Sequence, residues 1–79
     1  MYTVYVLKSL KDQKRYIGMT SELTRRIDEH NFGKVKSTRN RRQFILFYTE
    51  EFNTKEEATA REKFFKTGKG REFLNSIKN

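Results

Sequence analysis

Four side chains with reactive groups lie in the first thirty residues of the chain: Tyr5, Tyr16, Arg26 and His30. Phenols and imidazoles can give and take protons, while a guanidinium stays charged at any working pH and holds anions. Their spacing would bring them together. Thr3-Val4-Tyr5 and Tyr16-Ile17-Gly18 are β-prone triplets on either side of the polar turn Lys11-Asp12-Gln13-Lys14, which predicts a hairpin with a four- or five-residue loop. Pairing those strands turns Tyr5 towards Tyr16. Ser21 or Thr20 is placed to cap a following helix, on which Arg26 and His30, four residues apart, share a face. Two phenols, an imidazole and a fixed cation at one end of a small sheet still need an acid to hold a metal and a surface to meet a substrate.

The candidate acid is Glu62. Thr54 and Glu57 make a capping box for a helix expected to run to about Thr67 and to end at Gly68 as its C′ residue. Ala58, Glu62 and Phe65 fall on one stripe of that helix. An unpaired carboxylate on a core-facing stripe is costly. Pairing with a cation such as Arg61 or Arg26 would satisfy Glu62, and so would a bound metal; pattern alone favours the ion pair. The candidate surface follows from charge. Eighteen Lys and Arg stand against ten Asp and Glu, a net charge of +8 on 79 residues, and such a field attracts polyanions. Lys34, Lys36, Arg39, Arg41 and Arg42 crowd one loop together with Ser37 and Thr38, donors that suit nucleic-acid backbone contacts; a solvated connection is the plainer alternative.

These groups must be positioned by very little protein. The chain reads as one domain, 1–79, and a body this small buries only about 60% of its unfolded surface. With no cysteine and a single histidine, disulfides and a structural zinc site are excluded on ligand count. No apolar run reaches the ~20 residues of a membrane span and no signal-peptide core follows Met1, so a cytoplasmic protein without a membrane partner is expected. Residues 2–8 are apolar on both faces, as a central strand requires. In residues 15–19, Tyr16 and Gly18 point one way and Ile17 and Met19 the other, and Gly18 permits close approach of another backbone or a ligand. Glu22–Asn31 has helical period, with Leu23, Ile27 and His30 on one stripe and Asn31-Phe32-Gly33 as the stop. Gln43–Phe52 reads as a third strand with Phe44, Leu46 and Tyr48 on one face and Ile45 and Phe47 on the other, and Gly70 precedes a last short helix with Phe73, Leu74 and Ile77 as its apolar side. On pattern alone, Tyr5 and Tyr16 also fit a cross-strand packing pair, and His30 a hydrogen-bonded core histidine.

Val4-Tyr5-Val6-Leu7, Tyr16-Ile17-Gly18 with Thr20, Leu23 with Arg25-Arg26 and His30, and Ala60-Arg61-Glu62-Lys63 together resemble the GIY-YIG nuclease family. The likeness is closest to its small single-domain bacterial members, which are similar to the excinuclease nuclease domain, and covers essentially the full chain. Tyr-Ile-Gly alone is a weak signal; the ordered set, with ten residues from Tyr16 to Arg26 and four more to His30, is specific. The resemblance implies an α+β fold: a three-stranded antiparallel sheet, first strand central, packed with three helices in the order β-β-α-β-α-α. It also implies hydrolysis of a DNA phosphodiester assisted by one divalent metal, Mg²⁺ or Mn²⁺. By the same resemblance, Tyr5 or Tyr16 would orient or deprotonate the attacking water, Arg26 would neutralise charge on the phosphoryl oxygens, His30 would lie close to the scissile phosphate, Glu62 would hold the metal, and Gly18 and Asn75 would support the site. Thr3 stands where the first motif has glycine, and Met19 where some relatives carry a lysine that lowers the tyrosine pKa. The alternative is a module of the same fold that holds DNA or RNA through the Lys34–Arg42 loop without cutting it; no obligate protein partner is inferred.

Overall fold

In the computed structural model, which describes residues 1–77, the run of β-formers at the start becomes strand β1, Tyr2–Ser9. It pairs antiparallel with β2, Arg15–Thr20, on one side and with β3, Phe44–Phe52, on the other, giving the order β2-β1-β3. Residues Thr3–Leu7 of β1 are all buried, because both faces of the sheet are covered. Helix α1, Leu23–Asn31, lies on the face of Tyr5 and Leu7, where Leu23 and Ile27 pack against them. Helices α2, Lys55–Phe65, and α3, Gly68–Asn75, cover the opposite face, where Val4 and Val6 meet Ala58, Phe65 and Leu74. The α+β order β-β-α-β-α-α with a central first strand is as the resemblance implies.

Several local boundaries differ from the sequence reading. Helix α1 begins at Leu23, and its N-cap is Glu22, whose side chain makes no cap bond. Neither Ser21 nor Thr20 takes that position, because Thr20 still belongs to β2 and pairs with Thr3. Its hydroxyl instead accepts from the Glu22 N–H at 3.0 Å and fixes the turn into the helix. The capping box of α2 is half formed: the Thr54 hydroxyl accepts from the Glu57 N–H and donates to the Glu57 carboxylate. That helix ends at Phe65, short of Thr67. Gly68 does not close it but opens α3, with Thr67 as N-cap accepting from the Gly70 N–H. Gly70 lies inside α3 rather than before it, and a Cβ there would sit 2.1 Å from the Phe64 carbonyl oxygen. This close contact with the end of α2 lets α3 fold back after a two-residue link.

The alternation expected in β3 breaks. Val6 pairs with Tyr48 but Leu7 with Leu46, so Phe47 is an extra residue at a β-bulge. Phe47 and Tyr48 therefore both pack on the Val4/Val6 core, while Phe44 turns to the Tyr5/Leu7 side. Leu46 and Ile45 are 45% and 47% exposed along the edge strand.

Candidate active site

The centre of β1 puts Tyr5 under α1. Tyr5 stands opposite Gly18 in the register, and a Cβ at position 18 would lie 2.4 Å from the Tyr5 hydroxyl. The close approach that Gly18 permits is thus that of the Tyr5 phenol, laid across the neighbouring strand. Two positions along β2, the Tyr16 ring comes to 6.4 Å from that of Tyr5 and 4.7 Å from that of His30. From α1, Arg26 donates through Nε to the Tyr5 hydroxyl at 3.4 Å, and its Nη1 is held by Glu29 at 3.1 Å. His30, one turn on, reaches the same hydroxyl with Nε2 at 3.1 Å. Four of the residues singled out from the sequence thus form one contact group.

The hydrogen bonds around His30 assign their own direction. Its Nδ1 lies 2.7 Å from the Thr38 hydroxyl, which donates to the Val35 carbonyl and therefore accepts from Nδ1–H. That leaves Nε2 of a neutral imidazole as an acceptor, filled by the Tyr5 O–H. Arg26 Nε–H, Tyr5 O–H, His30 and Thr38 form a single chain in which every donor has an acceptor. The electrostatics agree. Burial pushes the His30 pKa below its ordinary value, and the nearby Arg26 charge pushes the same way against Glu29. Burial also raises the Tyr5 phenol, with the bond from Arg26 opposing and the Tyr16 and Glu62 charges adding to the rise. Both groups rest neutral.

Glu62 sits on α2, across the sheet from α1, with its side chain 22% exposed. Its partner is neither Arg61 nor Arg26 but Lys66, one turn on, at 3.1 Å. Arg61 is taken by Glu50, with contacts of 2.7 and 3.2 Å, and stacks over Phe64 and Phe65 at 4.7 Å. Glu62 makes no direct bond to the tyrosines, though its charge is felt at Tyr5. Asn75, near the end of α3, accepts a hydrogen bond from Arg15. Met19 faces the α2 side, where its sulfur meets the Thr59 hydroxyl, so the group next to the Tyr5 phenol is His30.

Much of the basic loop is built into the fold. Arg41 pairs with Asp12 at 3.0 Å, Arg39 donates to the Gly33 carbonyl, and the Arg42 guanidinium lies against Gly33; Lys34 and Lys36 remain exposed. Thr38, grouped with the loop's surface donors, is fully buried as the partner of His30. No local pattern marks Thr38, whose role depends on how the loop folds back. The Glu62–Lys66 pair was likewise missed in favour of Arg61 or Arg26, although its four-residue spacing on one helix was the signal that could have found it.

The GIY-YIG catalytic domain family matches residues 1–75. The chain belongs to the GIY-YIG family. A UPF0213 protein of Staphylococcus haemolyticus is 41% identical over 75 residues, covering 94% of this chain and 90% of that protein. The UPF0213 protein YazA of Bacillus subtilis is 44% identical over 63 residues, of whose length the chain spans 63%. The solution NMR structure of a UPF0213 protein from Bacillus halodurans superposes with a TM-score of 0.59 at 40% identity, over 99% of this chain and 86% of that one. The GIY-YIG domain places the chain in a family of nucleases, and so of proteins that act on nucleic acids. Among the described residues no helix is long and apolar enough to cross a membrane.

Proposed function

We propose that this GIY-YIG protein is a DNA endonuclease that hydrolyses a phosphodiester with the help of one divalent metal, Mg²⁺ or Mn²⁺. The observation that carries the proposal is the directed chain from Arg26 through Tyr5 and His30 to Thr38. A phosphodiester under attack by water has to lose a proton from the nucleophile and gather charge on its non-bridging oxygens. Tyr5 is suited to the first task as a relay. Its oxygen takes a proton from water as its own proton passes to the neutral Nε2 of His30, so no resting phenolate is needed. Arg26 supports both events, facing the Tyr5 oxygen now and a phosphoryl oxygen when substrate is bound. Tyr16, half-buried and packed on His30, orients the water. His30, with no exposure, acts on the phosphate only through Tyr5, whose own exposure is 1%, so the water has to reach the phenol past Arg26 and Tyr16.

Glu62 is the residue that would hold the metal. A single carboxylate, with no group of three or more His, Cys, Asp or Glu gathered among the described residues, fits ions that bind through one or two carboxylates plus substrate phosphates. When bound, the ion polarises the phosphoryl oxygens. Lys66 holds Glu62 in the free protein and must release it first; that pairing is also what favours the second reading, a non-cleaving DNA- or RNA-binding module.

Incubating the purified protein with supercoiled plasmid, with and without Mg²⁺ or Mn²⁺, tests the proposal. Nicking should require metal and disappear in Glu62→Ala, Arg26→Ala and Tyr5→Phe. Equal nicking by all three variants would refute the assignment, and a wild type that binds but never nicks would favour the second reading.

A further inference from the structure

We propose that the cleft between the β1–β2 hairpin and the α2–α3 pair seats one DNA strand, held by Lys14, Arg15, Lys66 and Arg71 beside Tyr16. This deepens the nuclease assignment above by naming where its substrate lies, and it moves the main phosphate contacts away from the Lys34–Arg42 loop.

The cleft measures about 780 Å³, and of its ten lining residues four are cationic and none is acidic; of the four, Lys66 alone has a carboxylate partner, Glu62 behind the wall. The cations come from separate elements: Lys14 from the hairpin turn, Arg15 from β2, Lys66 from the end of α2 and Arg71 from α3. Charges spread in this way match a row of phosphates better than a single small anion. Leu74 and Phe65, both buried, form part of the apolar wall, and a low-dielectric wall focuses the field into the cleft.

Three observations mark these cations as unspent. The side chains of Lys14 and Arg71 have no ion pair or hydrogen bond among the described residues. Arg15 lies over the Phe47 ring at 5.4 Å and donates to Asn75 through one terminal nitrogen, while the other, Nη1, is buried without an acceptor. A buried donor with no partner is rare in a folded protein, and a swing of the guanidinium into the cleft would bring it a phosphate oxygen. Lys66 is committed only to a surface pair with Glu62, and such pairs hold weakly. A phosphate arriving in the cleft would draw Lys66 away and free the Glu62 carboxylate. Tyr16, common to the cleft wall and the His30 cluster, brings the strand against the proposed chemistry.

The test measures binding without cleavage. Anisotropy of two labelled single-stranded DNAs of unrelated sequence is titrated with salt in EDTA, for wild type, Lys14→Gln/Arg71→Gln and Lys34→Gln/Lys36→Gln. Each phosphate contact to a single strand contributes a slope of about −0.7 in log affinity against log salt, so the cleft variant should flatten it by about 1.4 on both sequences. The loop variant should flatten it by less than half as much. A cleft variant with the wild-type slope, or a loop variant with the larger change, would overturn the proposal. Because the assay contains no metal, a protein that does not cut can still support the cleft, and a protein that cuts with unchanged binding refutes the cleft alone.

Discussion

Replacing Thr38 by valine should disarm the proposed relay while leaving the fold in place. Valine has nearly the shape of threonine, so no cavity opens; what is lost is the acceptor 2.7 Å from His30 Nδ1. Both residues are fully buried, so water cannot take its place. Leaving Nδ1–H unpaired costs about 1–3 kcal/mol, a large part of what so small a domain has in hand. His30 can escape that cost by moving its proton to Nε2. It would then donate to the Tyr5 oxygen, which already accepts from Arg26, and Tyr5 would lose the acceptor for its own proton. Nicking should fall by roughly 10²–10⁴-fold, the usual worth of general acid–base help. Thr38→Ser should restore most of it by returning the hydroxyl. ¹⁵N NMR of the single imidazole reports the tautomer directly: Nδ1–H in wild type and Thr38→Ser, Nε2–H in Thr38→Val. A valine variant that keeps Nδ1–H and nicks at the wild-type rate would refute the role given to Thr38 and the directed chain with it.

Because burial holds the His30 pKa below its ordinary value, the unfolded chain binds the proton first as pH falls below about 6.5. Stability should therefore be fully present above that pH and decline beneath it. His30 is the only histidine, so His30→Gln should flatten urea midpoints between the ordinary histidine range and the carboxylate range; an unchanged slope would contradict the buried neutral imidazole. Removing the ion-pair partner of Glu62 with Lys66→Met should tighten Mn²⁺ binding in the absence of DNA, read by the loss of the free-ion EPR signal; weaker binding would mean that Lys66 does not compete with the metal. Phe65→Ala, at a side chain with no exposure, should cost about 3–5 kcal/mol in chemical denaturation, and Phe47→Ala clearly less, since Phe47 is only partly buried at the bulge. Equal losses would place the core differently.

Where neighbouring residues settle a structure, the chain could be read directly. A strand apolar on both faces must be central, so β1 was legible from residues 2–8. The stripe of Leu23, Ile27 and His30 marked the inner side of α1, and Thr54 three residues before Glu57 marked the start of α2. The spacing of Tyr5, Tyr16, Arg26 and His30 likewise followed from one hairpin and one helix. Contacts formed between distant segments had no such local signature. The bulge at Phe47 arises from how β3 registers on β1, and it inverts the faces of everything before it. Gly68 and Gly70 have the composition of a helix end, yet Gly70 serves the close packing of α3 on Phe64 and Phe65. Thr38 lies seven residues beyond the end of α1, in no helix or strand shared with His30, and the loop that carries it folds back to bury its hydroxyl. Arg61 found its carboxylate on the edge strand, in Glu50, eleven residues earlier in the chain. Short-range periodicity and capping act within a few residues and leave their pattern in the order of the chain. Partner choice among buried polar groups follows from desolvation after packing, which depends on which surfaces meet.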